Sequence, residues 1–293
     1  MKRFIIVNSN DSGLCNQLWS LVIFTSLDCL DNVKVFYHLR DDRVLGFYKA
    51  DHSIFGFHGY RLLLERFIDS RFSQWVSYRL GFRKDPDFRK RRITILDNWQ
   101  SLGVSVEAIG NDFQSADFLR LDANPPFLKT LKSKFVVIHA RLGDYHIWRN
   151  GAYYFSPDYY IELAQEIRAM NPSFEVVVCT NEPDKFVQAA ELGLLYLSDG
   201  KSEEEDLTLM AKSQWIVGPP SSFSMLASNY GGVELSWIFD ASHSAQTLFT
   251  SRSVISGFYK FKNGLALHES SIINGKLELK TANVPFLRTL WQG

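Results

Sequence analysis

The 293-residue chain carries 32 basic and 32 acidic side chains, a formal net charge of zero, with 46% hydrophobic and 14% aromatic residues. That apolar content can bury a substantial interior and excludes a disordered chain, while the even charge offers no global basic field for nucleic acid. The length suits two domains, and no apolar run approaches the roughly 20 residues that span a bilayer.

The first element is a strand at 4–7, Phe4-Ile5-Ile6-Val7. Its apolar stretch is too short for the core of a signal peptide, and no small-residue cleavage site follows. A turn rich in small polar residues, Asn8 to Gly13, leads to a helix from about Asn16 with Leu18, Leu21, Val22 and Leu27 at helical period. Val33–Tyr37 reads as the second strand and Ile93–Leu96 as the third. Between them, residues 41–82 are aromatic-rich and suggest short helices. Arg79 to Arg92 form a basic cluster around Asp85-Pro86-Asp87, which reads as a solvated, proline-broken loop because no apolar strand precedes it. Cys15, Cys29 and Cys179 show neither disulfide nor zinc spacing and fit buried thiols in a reducing, cytoplasmic setting.

Asn124-Pro125-Pro126 breaks the pattern, so the expected domains are 1–128 and 129–293, with the last residues packing back on the first. In the second half, strand 135–141 precedes a helix opened by Ser156 as cap and Pro157 at the first position. Tyr160, Leu163, Ala164 and Ile167 form its apolar stripe, and Asn171-Pro172 ends it. A strand at 174–179, a helix at 185–192 stopped by Gly193, a strand at 194–197, a helix at 203–212 and a strand at 215–218 follow. A helical stretch after Ser222 closes at Gly231-Gly232, and residues 233–293 alternate short strand-like runs with turns. Repeated β and α units at this spacing predict an α/β fold with parallel, doubly wound sheets.

Three places on this frame carry chemistry. The apolar run Phe135–Ile138 breaks into His139-Ala140-Arg141-Leu142-Gly143-Asp144-Tyr145. A buried parallel strand is a continuous apolar run, and ligands of open α/β sheets gather beyond its carboxyl end. Arg141 has the donor fork that suits phosphate; Asp144 is either a catalytic base or the partner that fixes Arg141. The second place is Pro219-Pro220-Ser221-Ser222-Phe223-Ser224, where serines at a helix start beyond a strand form an anion cradle. Ordinary capping is compatible with that role. The third is Glu203-Glu204-Glu205-Asp206, a solvated helix start whose Asp206 leads into the core residues Leu207, Leu209 and Met210. In the first domain, Gly13, Asn16 and Gln17 sit at a strand-to-helix turn, where a helix cap and a binding role stand level.

Four segments, in order, resemble the bacterial α1,2-fucosyltransferases within the wider GT-B fucosyltransferase clan. Gly13-Leu14-Cys15-Asn16-Gln17-Leu18 is similar to the family's G-x-x-N-Q-[LF] signature and Asp97-Asn98-Trp99-Gln100-Ser101 to its G-[YFW]-[FW]-Q-S segment. His139 to Tyr145 matches H-x-R-x-G-D-Y, and Asp206-Leu207-Thr208-Leu209-Met210 with Ser221-Ser222-Phe223-Ser224 matches D-L-x-L-M…S-S-F-S. The resemblance implies a GT-B fold of two Rossmann-like domains facing a cleft. It also implies a GDP-fucose donor, inversion without a metal ion or other cofactor, and a glycan acceptor taken in α1,2 linkage to galactose. Under it, Arg141 holds the diphosphate, His139 contacts the nucleotide and Asp206 reads guanine. Ser221, Ser222 and Phe223 close around the phosphates, and Asn16 faces the transferred sugar, beside Gly13 and Gln17.

Met225-Leu226 stand where the family has two tryptophans, Pro219-Pro220 where it has Ala-Asn, and Cys15 where it has glycine. These departures leave open a GT-B transferase for another GDP-sugar, or a GDP-sugar-binding protein without turnover. No nucleic-acid partner is expected; peripheral contact with a membrane stays open, and the sequence assigns no oligomeric state. Asp11 and His146 are further candidates for the general base, each with an ordinary structural reading.

Overall fold

The computed structural model describes residues 3–8, 14–19, 21, 33–38, 93–96, 119–121, 125–131, 134–198, 202–254, 272–273 and 276–277. The expectations for 41–82, for the loop at 85–87, for Cys29, for Asp97–Ser101 and for the chain terminus lie outside these residues. The described residues fall into two compact units that divide between Arg120 and Leu121. Each is α/β.

In the first unit, β1 (Arg3–Asn8), β2 (Val33–His38) and β3 (Ile93–Leu96) form a parallel sheet in the order β2-β1-β3. Parallel neighbours need a crossover between them. Helix α1 (14–19) lies within the first such connection, with Leu14, Leu18 and Trp19 buried. The i, i+4 spacing of Leu14 and Leu18 explains that buried stripe.

The second unit is built on a six-stranded sheet. Its strands are β4 (Phe135–Ala140), β5 (Glu175–Thr180), β6 (Tyr196–Leu197), β7 (Trp215–Gly218), β8 (Glu234–Trp237) and β9 (Ser253–Val254), in the order β6-β5-β4-β7-β8-β9. All pairs are parallel except β8 with β9. Counted within the unit, the order is 3-2-1-4-5-6, the doubly wound arrangement that reverses direction beside its first strand. The reversal therefore falls between β4 and β7, where Ile138 pairs with Val217.

Every residue of β4 is buried, as a central strand covered on both faces demands. Helix α2 (Pro157–Met170) starts at Ser156, whose hydroxyl accepts from the Tyr159 N–H at 3.3 Å, and buries Tyr160, Leu163, Ala164 and Ile167. These side chains join Val136, Ile138, Val176, Val178, Trp215 and Val217 in one core. Helices α3 (Val187–Glu191), α4 (Glu203–Ala211), α5 (Ser222–Gly231) and α6 (Ala245–Thr250) complete the unit. Helices α4 and α5 approach so closely that a Cβ on Gly231 would collide with the Ala211 carbonyl.

Helix α6 falls where the sequence suggests only short strand-like runs and turns, and two elements of the βα repeat also differ from the sequence expectation. The helix at 185–192 is a 3-10 turn at Pro183–Lys185 followed by the shorter α3, because Pro183 opens a tight turn before the helix. The strand at 194–197 keeps only Tyr196 and Leu197. Gly193 takes a left-handed φ of 69°, the Leu194 N–H returns to Ala189 O at 3.0 Å, and Arg168 donates to the Gly193 and Leu194 carbonyls. The helix end thus claims the first half of the expected strand.

Candidate functional site

The reversal between β4 and β7 is where a doubly wound sheet opens a crevice at its carboxyl edge. His139 is the penultimate residue of β4, just before that edge, and Arg141 follows Ala140, the last strand residue. Across from them, β7 ends at Gly218, and Pro219-Pro220-Ser221 turns into α5. Gly218 is required here: a Cβ would lie 2.6 Å from the His139 carbonyl oxygen.

His139 is 4% exposed and its ring packs against Phe223, the second residue of α5, at 5.4 Å between centroids. Burial, assisted by the neighbouring Arg141 charge, pushes its pKa down to about 3, so the ring is neutral near pH 7. Its Nδ1 is buried and has no hydrogen-bond partner among the described residues, and the same holds for Arg141 Nε. A buried polar atom without a partner calls for an explanation, and these two lie two residues apart at the carboxyl end of β4.

Arg141 is held from two sides. Nη2 bonds Asp144 Oδ1 at 2.8 Å, and the guanidinium carbon lies 5.1 Å from the Tyr145 ring centroid. The Arg141 side chain is 29% exposed and that of Asp144 59%, so the pair stands open to solvent. Residues 143–146 form a 3-10 turn where the sequence suggested a plain loop. The two residues after β5 fasten that turn: Asn181 Oδ1 accepts from Leu142 N–H at 3.1 Å and Glu182 Oε1 from Gly143 N–H at 2.9 Å. Gly143 has φ +43°, and a Cβ there would meet Asn181 Nδ2 at 2.6 Å.

On the opposite wall, Ser221 caps α5 by accepting from Phe223 N–H at 3.2 Å. Ser221 is buried, whereas Ser222 and Phe223 are half-buried. The first turn of α5 contains no acidic residue. Its first-turn N–H groups and helix dipole thus offer positive potential beside Arg141.

Asp206 lies in the first turn of α4, toward β5 and β6. Its Oδ1 accepts from the Ser198 hydroxyl at 2.5 Å, and Ser198 N–H bonds Val178 O on β5. The buried Cys179 thiol, raised well above its ordinary pKa by burial and then by the Asp206 charge, is the register partner of His139. Asp206 is thereby tied to the strand beside β4, one step from the crevice.

His139, Arg141, Asp144, Ser221, Ser222 and Phe223 therefore meet at the reversal, and Asp206 flanks them. Asn16 and Gln17 belong to α1 of the first unit, half-buried and buried respectively, and Gly13 and Asp11 lie outside the described residues. His146 is exposed, with its ring 6.3 Å from that of Tyr154. Sequence reasoning gave no role to Tyr145, Asn181 or Glu182. The signal for Tyr145 was its place in the H-x-R-x-G-D-Y run, and for the other two it was a polar pair directly after a buried strand. Among the described residues no group of three or more His, Cys, Asp or Glu could hold a metal ion, and no helix is long and apolar enough to cross a membrane.

One solved structure supports this architecture. A mutant of Arabidopsis thaliana FUT1 in complex with GDP matches over 86% of this chain and 74% of its own, with a TM-score of 0.50 and 11% identity. The fold is GT-B. Escherichia coli heptosyltransferase WaaC with ADP matches over 80% of this chain and 86% of its own, with a TM-score of 0.36 and 11% identity. No family model and no curated protein matches the chain. The GT-B likeness thus rests on the path of the chain, and the chemistry has to come from the residues at the reversal.

Proposed function

We propose that this chain is a glycosyltransferase that takes GDP-fucose and transfers fucose, with inversion and without a metal ion, to a glycan hydroxyl, in α1,2 linkage to galactose. The observation that carries the reading is the convergence of Arg141 and the acid-free N-terminus of α5 at the sheet reversal. That arrangement suits a diphosphate. The GDP bound to the FUT1 mutant and the resemblance of the H-x-R-x-G-D-Y and S-S-F-S segments support GDP in particular.

In this reading the bond between the sugar's anomeric carbon and the diphosphate oxygen breaks as the acceptor oxygen bonds that carbon from the opposite face, and the acceptor hydroxyl releases its proton to water. Negative charge grows on the leaving diphosphate while the sugar becomes oxocarbenium-like. Arg141 and the amides of α5 are fixed before the reaction and meet that charge, which is transition-state stabilisation without reorganisation. Asp144 acts through Arg141, holding one end of its fork. His139, neutral near pH 7, offers a ring nitrogen to the nucleotide rather than a second positive charge. Asp206 accepts from guanine, and Asn16 faces the transferred sugar. Met225 and Leu226 are buried, at 1% and 0% exposure, in the positions where the resembling family has tryptophans. That departure favours, as a second reading, a different sugar on the same GDP.

Calorimetric titration with GDP tests the site. Arg141→Ala should weaken binding about 100-fold, the scale of losing a charged, bidentate contact, with the melting temperature nearly unchanged because the side chain is partly exposed. Equal affinity in the variant removes Arg141 from the diphosphate. GDP release from GDP-fucose, with and without galactose-terminated acceptors, tests turnover; GDP-mannose in the same assay separates the second reading.

A further inference from the structure

We propose that Tyr145 is a positioning residue that couples the two anion-facing groups, aligning the Arg141 guanidinium with the N-terminus of α5. The inference rests on the donor reading above. The Tyr145 ring centroid lies 5.1 Å from the Arg141 guanidinium carbon, and the hydroxyl donates to the Pro220 carbonyl at 2.6 Å. One side chain, 6% exposed, thus reaches both walls of the crevice.

The carbonyl it holds is well chosen. Pro220 directly precedes Ser221, the cap of α5. Pro219 and Pro220 have ring-fixed φ angles and no N–H, so the turn has few rotations of its own left. Fixing the Pro220 carbonyl fixes the peptide plane that enters the cap, and with it the direction of the first-turn amides. The ring is steadied in turn by Trp148, at 4.8 Å between centroids. Burial raises the Tyr145 pKa, so the hydroxyl keeps its proton and the bond persists across the physiological range. A tyrosine with a purely structural task would satisfy a carbonyl; this one also meets the guanidinium.

Tyr159 supplies the matched control. It lies in the same unit, and its hydroxyl donates to the His243 carbonyl at 2.9 Å, away from Arg141 and Ser221. Tyr145→Phe and Tyr159→Phe each delete one hydroxyl and keep the ring. Both should lower the melting temperature by similar small amounts. GDP should bind Tyr145→Phe about three- to tenfold more weakly than wild type, and Tyr159→Phe with wild-type affinity. Wild-type affinity in Tyr145→Phe, or equal weakening in both variants, overturns the proposal. Amide hydrogen exchange without ligand gives a readout independent of GDP. Tyr145→Phe should speed exchange at 141–146 and at 221–224 together, and faster exchange at 141–146 alone overturns the coupling. Should wild-type protein fail to bind GDP, the donor reading falls, and the exchange result still decides the coupling.

Discussion

Helices α4 and α5 begin alike and offer a ligand opposite charge. Ser202 caps α4 by accepting from Glu205 N–H at 3.2 Å, and Ser221 caps α5 by accepting from Phe223 N–H at 3.2 Å. The first turn of α4 then carries Glu203, Glu204, Glu205 and Asp206, and that of α5 carries no acid. The positive end of α4 is compensated by its own carboxylates, which would repel a phosphate and welcome a donor such as a base N–H. The positive end of α5 is left for an anion. Ser156 and Ser244 cap α2 and α6 in the same manner, so a serine cap says nothing of binding by itself. What separates the helices is the charge of the first turn and the strand before it: α4 follows the edge strand β6, α5 follows β7 at the reversal.

Making α5 resemble α4 is the strongest way to break the comparison. Ser222→Asp puts a carboxylate at the first helical position, where it should gain about 0.5 kcal/mol of helix stability. Against a bound diphosphate the same charge should cost more than about 30-fold in GDP affinity, since like charges about 4 Å apart repel by several kcal/mol at protein–water boundaries. Stability and affinity would move in opposite directions in one variant. Calorimetry beside a melting curve reads both, and unchanged GDP affinity would take the anion away from α5.

Gly231→Ala attacks the contact between the two helices. The new methyl would meet the Ala211 carbonyl, whereas one at Gly232 has nothing within 4 Å and faces only the strain of φ +65°. Gly231→Ala should cost about 2–3 kcal/mol, an overpacking penalty, and lower the melting temperature by about 5–10 °C. Gly232→Ala should cost about 1 kcal/mol. Equal melting temperatures for the two variants would deny the close approach. The last variant belongs to α4: Asp206→Asn keeps an oxygen for Ser198 but loses the charge. It should weaken GDP about tenfold while leaving inorganic pyrophosphate affinity as it was.

Much of this was legible in the sequence where local rules act alone. Ile93–Leu96 and Trp215–Gly218 are largely apolar runs between polar or turn-forming residues, and the structure gives both the same ends. Ser156-Pro157 announces a helix start, and Tyr160, Leu163, Ala164 and Ile167 are the residues α2 buries. The anchoring of the site was less legible because it is non-local. Asp144 is three residues from Arg141 and readable as its partner, but Tyr145 meets Pro220 across 75 residues, and Asn181 and Glu182 reach back 39. Leu194 and Leu195 read as strand from their own side chains, yet a helix cap captures Leu194 and Arg168, 25 residues earlier, holds the Gly193 carbonyl. Spacing and propensity see neighbours in the chain, and these contacts join neighbours only in space.

The Gly231–Ala211 approach lies at the C-terminal end of both helices, since Ala211 closes α4 and Gly231 closes α5. The serine caps stand at the opposite ends, about 14–15 Å away at 1.5 Å per residue. Geometrically the contact is a fulcrum and each helix a lever arm. A tilt of about 5° there carries a cap through about 1 Å, a displacement on which catalytic geometry can lose orders of magnitude. Atoms at the far end of the helix pair thereby set the aim of amides that they never touch.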